Sequence, residues 1–374
     1  MPGRSIRIAR IAGIPVGINP WWLVVVALFT WALGAGYYPY EVPGIAPAAA
    51  YGLGLTSILL LFASVLAHEF GHALVARRHG LVVQEIDLWP LGGVSKISGE
   101  PKRPQDEIAY AAAGPAVTVV IGTIFGVLAV ALPDSAPAAL RALIKYQAEV
   151  NGLILALNLL PAFPLDGGRI VRAALWRHRG DKSSATATAA NIGRGFGYLM
   201  IAAGVVLVLG GTLAFEGLWL ALIGMFVAGA GSAERANEEV ISTFTGVRAA
   251  ELMSQPVVTV DSESTAQEAR LEFARHRYTA FPVTDREGRA IGVLSIGALQ
   301  RTPRSSWPTT SVADLADRDP GLLVGPDEDV AHLFGEPAFL RIGRAVVVDE
   351  ERRPVGMVSV TDVERVLRAR RLAA

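Results

Sequence analysis

The 374-residue chain has no cysteine. That rules out disulfides, thiolate zinc sites and iron–sulfur clusters, and leaves imidazole and carboxylate as metal ligands. Charge is scarce as well: Asp, Glu, Lys and Arg make up 18% of the residues against 52% hydrophobic, and 34 basic groups balance 34 acidic ones. A composition this apolar is too greasy for a soluble protein of the same length, and a net charge of zero by itself says nothing about nucleic acid. The scarcity is uneven. Nearly all long apolar runs fall before about residue 232, whereas the remainder has the dispersed Arg, Glu and Asp of soluble α/β sequence. A membrane part followed by an aqueous part is expected, with no nucleic-acid partner.

About six windows are apolar over a length suited to the hydrocarbon core of a bilayer: Trp21 to Gly36, Leu53 to Ala76, Ile108 to Leu132, Ala148 to about Pro161, Gly195 to Leu213 and Leu218 to Gly231. The first and fourth are short, and the fourth is expected to be broken. No small-residue cleavage site precedes the first window, so that span is expected to be retained. Cations gather at Arg4, Arg7 and Arg10, at Arg77, Arg78, Lys96, Lys102 and Arg103, and at Arg169, Arg172, Arg177, Arg179 and Lys182; the intervening loops carry chiefly Arg141 and Lys145. The positive-inside rule then predicts a multi-pass protein of the plasma membrane, with its N-terminus and its C-terminal part in the cytoplasm.

Inside the second window the run HEFGH places His68, Glu69 and His72 among apolar residues. On a helix the two histidines lie at i and i+4 on one face, where two imidazoles can hold one ion, and Glu69 stands beside it as a base. A lone histidine in an apolar helix is usually a satisfied core residue. Three titratable groups in one turn at membrane depth are too costly for that reading. His68 lies about ten residues from the cationic end of the window, roughly 15 Å at the usual helical rise, so the ion would sit within the membrane toward the cytoplasmic side.

A hydrolytic zinc site takes three protein ligands and leaves a fourth position for water. Asp166 is the candidate third ligand, in the segment NLLPAFPLDGGR that begins at Asn158. Pro161 and Pro164 interrupt the helix, Gly167 and Gly168 are expected to loosen the backbone, and the broken stretch can turn a carboxylate toward the histidines. Irregular backbone at this depth is tolerated only where it is buried or lines a wet cavity. A surface turn would account for the prolines and glycines but not for Asn158 within the apolar run. Glu69 would deprotonate water attacking a carbonyl, and Asn158 would donate to the resulting oxyanion. Asn151, two turns earlier, is a weaker donor or an interhelical hydrogen bonder. His79 reads as interfacial, and His178, His276 and His332 as surface residues.

HEFGH in one span with NLLPAFPLDGGR in a later one resembles the site-2 protease family of intramembrane zinc metalloproteases, over about residues 1 to 232. The resemblance implies a polytopic membrane fold with a three-span catalytic core, one zinc ion on His68, His72 and Asp166, Glu69 as base, and cleavage within a substrate's transmembrane segment. It also implies an upstream site-1 protease and a membrane-anchored regulator as substrate, such as an anti-sigma factor. Gly92 and Gly93 in LWPLGGVSK resemble the glycine-containing hairpin that follows the first motif, and Leu81 to Trp89 reads as a strand on whose edge an extended substrate could pair. Ala113-Gly114-Pro115 resembles the start of the next core helix, but Ala116, Val117 and Thr118 follow where the family often carries an asparagine, which leaves a polar role there in doubt.

From about Gly246 the chain repeats itself: a short helix, a strand, an amphipathic helix, a Val-rich strand ending in Asp, a turn, a Gly-hydrophobic-Ser strand and a last helix, twice over. The pattern resembles a tandem pair of CBS domains, 247–301 and 308–371, joined to the membrane domain 1–232 by a charged linker 233–246. Such pairs bind adenine nucleotides, which here implies Ser359, Thr361 and Asp362 as ligand-binding residues; Ala298 stands where the first repeat's aspartate would be. A dimerising module without ligand is the other reading, and it would make a homodimer through these domains. The fold class is therefore a polytopic α-helical membrane protein, of about six transmembrane helices, with a C-terminal α/β tandem CBS domain. A CBS-regulated transporter has no use for the Glu69 base, and a dead scaffold has none for an intact ligand set.

Overall fold

The computed structural model describes residues 5–89, 92–98, 101, 103–211 and 214–373; Arg4, Lys102 and Leu213 of the sequence reading lie outside them. The chain divides into two compact units, Met1–Glu238 and Glu239–Ala374. The first opens with a hairpin of β1 (Ile6–Ile11) and β2 (Ile14–Ile18). β2 runs parallel to β3 (Val82–Trp89), and β3 pairs antiparallel with β4 (Gly92–Ser98), giving the order β1-β2-β3-β4. β4 is thus an edge strand, with Gly93 opposite Leu88 and Ser95 opposite Ile86.

Helix α1 (Trp21–Ala32) passes through one wide turn, Leu33–Tyr37, into α2 (Tyr38–Glu41). Then follow α3 (Pro47–Arg78), α4 (Pro104–Ala131), α5 (Ala138–Asn158), α6 (Asp166–Arg179), α7 (Lys182–Gly210) and α8 (Ala214–Phe244). Among the described residues five helical stretches are long and apolar enough to cross a membrane: Trp21–Glu41, Pro47–Arg78, Pro104–Ala131, Lys182–Gly210 and Phe215–Phe244. The fourth expected window is the end of α5, whose first half carries Arg141 and Lys145, with Glu149 just past its middle. α5 stops at Asn158, just ahead of Pro161 and Pro164, as proline sterics demand. Residues 233–244, read above as part of a linker, continue α8.

Apolar side chains in this unit face outward to a degree that water would not tolerate: Val130 is 88% exposed and Leu209 82%. Lipid is the medium that matches such a surface. Inside, Trp22, Tyr38, Ile58 and Phe62 pack together, with the Trp22 and Phe62 rings edge to face at 4.9 Å. α7 and α8 meet backbone to backbone: a Cβ on Gly204 would lie 2.4 Å from the Gly217 carbonyl oxygen.

The second unit is built twice from one plan. In the first copy β5 (Val260–Asp261) lies parallel to β6 (Ala280–Thr284), which pairs antiparallel with β7 (Ala290–Ser295); in the second β8 (Leu323–Val324), β9 (Arg344–Val348) and β10 (Pro354–Ser359) repeat the arrangement. Helices α9 (Ala249–Leu252), α10 (Ala266–His276) and α11 (Ile296–Arg301) are matched by α12 (Val312–Leu315), α13 (Pro337–Ile342) and α14 (Val360–Ala373). Bridges between the copies are reciprocal: Arg248 pairs with Asp329 as Ser311 pairs with Thr265, and Ser254 with Met357 as Asp317 with Val293. Phe281, Val283 and Leu294 centre one core, Val347, Val358 and Phe339 the other.

Candidate metal centre

His68 and His72 are buried one turn apart on α3, and Asp166 begins α6. The Asp166 Oδ2 atom lies 3.2 Å from both His68 Nε2 and His72 Nε2, and the two ring nitrogens are 3.1 Å apart. The opposite edges of the rings are fixed. His72 Nδ1 lies 2.8 Å from the Tyr110 carbonyl oxygen, so it must carry the proton and donate. His68 Nδ1 lies 2.8 Å from the Thr118 hydroxyl, which itself donates to the Gly114 carbonyl and therefore accepts from His68. Both Nε2 atoms are then bare, and two imidazole lone pairs converge with a carboxylate on one point.

Three bare acceptors at such distances repel unless a cation lies among them, and the donor set of two imidazoles and one carboxylate suits zinc. The space is kept open by Gly114 of α4, where a Cβ would come 2.2 Å from His72 Nε2 and 2.5 Å from His68 Nε2.

Glu69 accepts a 2.7 Å hydrogen bond from the Ser95 hydroxyl of β4, and a Cβ on Gly93 would press within 2.3 Å of Glu69 Cγ. The edge strand is thus laid directly on the carboxylate, with room only for glycine at 93. Gly92 has φ +146°, backbone that glycine adopts freely and other residues resist. Lys96, also on β4, bridges Glu85 and the buried Asp87 of β3, which ties the strand pair beneath the site.

Three expectations are corrected here. Gly167 and Gly168 do not loosen the chain. Both lie in the first turn of α6, and their missing side chains let that turn seat on the 159–163 backbone: a Cβ on Gly167 would be 2.3 Å from the Leu160 carbonyl oxygen. The position after Gly114-Pro115 does have a polar role, through Thr118. Asn151 bonds within its own helix, its amide donating to the Gln147 carbonyl at 2.9 Å, so it is not an interhelical link. Asn158 ends α5, half-buried, with no hydrogen-bond partner among the described residues. His79 pairs with Asp106 at 3.0 Å near the surface, consistent with an interfacial place.

The sequence reading missed Ser95, Tyr110 and a buried ion cluster. Arg172 of α6 donates to Glu107 of α4 and, at 2.7 Å, to Glu234 of α8. Glu107 and Arg172 are one tenth exposed or less. Their signal was available, since a glutamate ahead of an apolar run and an arginine three residues after another rarely sit in a bilayer-facing helix without partners.

In the second unit Ser359, Thr361 and Asp362 line a cleft of about 390 Å³ together with Arg277, Arg344 and Arg365. Asp362 is buried and already engaged: it accepts from the Ser359 amide at 3.0 Å and from the Ser254 hydroxyl at 3.1 Å, and it pairs with Arg365. Burial lowers the Arg344 guanidinium pKa below its ordinary value, with Asp362 pulling the other way.

A family profile described as peptidase family M50 matches residues 56–203, and the CBS domain profile matches 249–303 and 312–369. Rip3 of Mycobacterium tuberculosis, a protein named as a zinc metalloprotease, is 36% identical over 372 residues, 99% of this chain and 94% of its own. A Synechocystis protein named likewise, sll0528, is 30% identical over 83% of this chain and 81% of its own. The solved site-2 protease of Methanocaldococcus jannaschii shares 29% identity over 62% of this chain and 95% of that structure, with a TM-score of 0.39.

Proposed function

The chain belongs to peptidase family M50, the site-2 protease zinc metalloproteases, with a tandem CBS pair, and from that premise we propose that it hydrolyses a peptide bond within the transmembrane segment of a membrane-anchored regulatory protein. The convergence of His68, His72 and Asp166 beside Glu69 and under the β4 edge carries this reading. Those three ligands would hold zinc, which when bound would supply Lewis acidity and ease the ionisation of water. Glu69 takes the proton of the attacking water, and Ser95 keeps its carboxylate turned to the site by holding one oxygen. Asn158 offers a free amide donor for the carbonyl under attack.

A transmembrane helix hides its peptide bonds, so the substrate must unwind first. The open edge of β4, running past Gly92 and Gly93 to Ser95, offers main-chain partners to an extended segment. A regulator such as an anti-sigma factor, trimmed beforehand by a site-1 protease, fits that requirement. The multi-pass domain 1–232 would lie in the plasma membrane, with α5 and the broken stretch after it making a sixth crossing beside the five long apolar helices, so that the N-terminus and the repeats 247–301 and 308–371 are cytoplasmic and the repeats are able to pair two chains. The three arginines of the cleft beside Ser359, Thr361 and Asp362 suit the phosphates of an adenine nucleotide, which would regulate cleavage.

The test is Glu69→Gln in the full-length protein, assayed against single-span membrane substrates. One zinc per chain is retained while cleavage falls on the order of 10⁴-fold. Undiminished cleavage by this variant overturns the hydrolase reading.

A further inference from the structure

Two arginines follow Asp166 on α6, and they live differently. Arg172 is held by two carboxylates, Glu107 and Glu234. Arg169, one turn after Asp166 on the same helix, makes no ion pair among the described residues. Its guanidinium carbon lies 5.5 Å over the ring of Tyr110, which packs against the His72 ring at a centroid distance of 5.1 Å and whose carbonyl orients His72. The charges of Asp166, Glu107 and Glu234 surround it without pairing with it. Arg169 is therefore held by Tyr110, through the ring face and a side-chain hydrogen bond, beside the metal centre, and among the described residues no carboxylate pairs with its planar fork of N–H donors.

A guanidinium shielded from water with no carboxylate in direct contact is costly unless an anionic partner arrives with the reaction. The substrate of a transmembrane hydrolase brings no charge of its own there. Its one group that becomes anionic is the scissile carbonyl. When water adds to the carbonyl carbon, the C=O π pair moves onto oxygen, and Glu69 receives the water proton. The C–N bond then breaks as that proton passes to the leaving nitrogen, and the oxygen regains its double bond. We propose that Arg169, supported by Tyr110, donates to the carbonyl oxygen while it carries that negative charge, adding a cationic donor to the neutral amide of Asn158 beside the zinc that His68, His72 and Asp166 would hold. The inference rests on the hydrolase reading above. It gives Arg172 and Arg169 separate tasks: Arg172 binds α4, α6 and α8 together, and Arg169 faces the substrate.

The test compares Arg169→Gln and Arg169→Lys with wild type, in full-length zinc-loaded protein cleaving a labelled single-span substrate. Donation to the oxyanion predicts a kcat loss of about 100-fold for R169Q, with KM changed by less than about twofold and zinc still one per chain. R169K keeps the charge but loses the planar fork, so it recovers part of the loss. An unchanged kcat in R169Q, a rise in KM alone, or loss of zinc from both variants overturns the inference and leaves a structural cation. A wild-type protein that cleaves no membrane substrate brings down the hydrolase reading and this inference with it; a wild type that cleaves no faster than R169Q brings down the inference alone.

Discussion

Buried polar groups mean different things in the two units of this chain. In the aqueous unit the interior is apolar, and its buried polar residues, such as Ser359 and Asp362, cap a helix and finish a strand. In the membrane unit the outward surface is apolar and polar groups turn inward: Ser57, Gln147 and Asn151 bond within and between helices, while His68, His72, Glu107, Thr118 and Arg172 lie buried around or beside one centre. A polar atom out of solvent therefore reads as local architecture in one half and, where such atoms converge, as chemistry in the other. Lipid is the reason. It removes the solvent that would otherwise make a polar side chain cheap, so those that persist are there for a use.

The comparison is sharpened first at Gly93. A valine there must displace Glu69, whose Cγ a Cβ would approach to 2.3 Å, while leaving the three ligands untouched. Since a displacement near 1 Å can cost about 100-fold in rate, Gly93→Val should lose cleavage on that scale with zinc content intact. Metal analysis beside a cleavage assay decides it; full activity would mean that β4 does not confine the base.

A smaller effect is expected one layer out. Thr118→Val removes the acceptor that holds His68 Nδ1 and so frees the ring to turn. Loss of such an outer partner weakens zinc binding by about 10–100-fold, measurable by competition with a chromophoric chelator. Equal zinc affinity in T118V would show that packing alone orients His68.

How much of this could be read from the residues follows the same division. HEFGH announces its own geometry because helical period puts His68 and His72 on one face, and Asp166 stands out as a carboxylate in a proline-broken apolar run. The CBS repeats were legible through their order of elements. Thr118, Ser95 and Tyr110 were not, because each acts through a contact across 26 to 50 residues of sequence, or through a backbone carbonyl, and a hydroxyl in a helix has no pattern of its own. Gly167 and Gly168 were seen but misread: glycine after proline suggests freedom, whereas here it permits contact. The short fourth window arose because α5 begins in charged sequence and only its end is apolar.

The least effect belongs to the aqueous unit, where the comparison is easiest to break. Asp362 caps α14 through Ser359 and takes a bond from Ser254, so Asp362→Ala should destabilise this unit by about 1 kcal/mol, the usual worth of such a cap, without touching zinc content. If Asp362 is architecture alone, ATP, ADP and AMP titrated into the full-length protein bind wild type and D362A alike, through Arg277, Arg344 and Arg365. If it also accepts a ribose hydroxyl, as the repeat's sequence suggests, D362A loses affinity beyond what its stability change explains. The second result would place chemistry in a buried polar group of the aqueous half, and the contrast between the two units would then be one of degree.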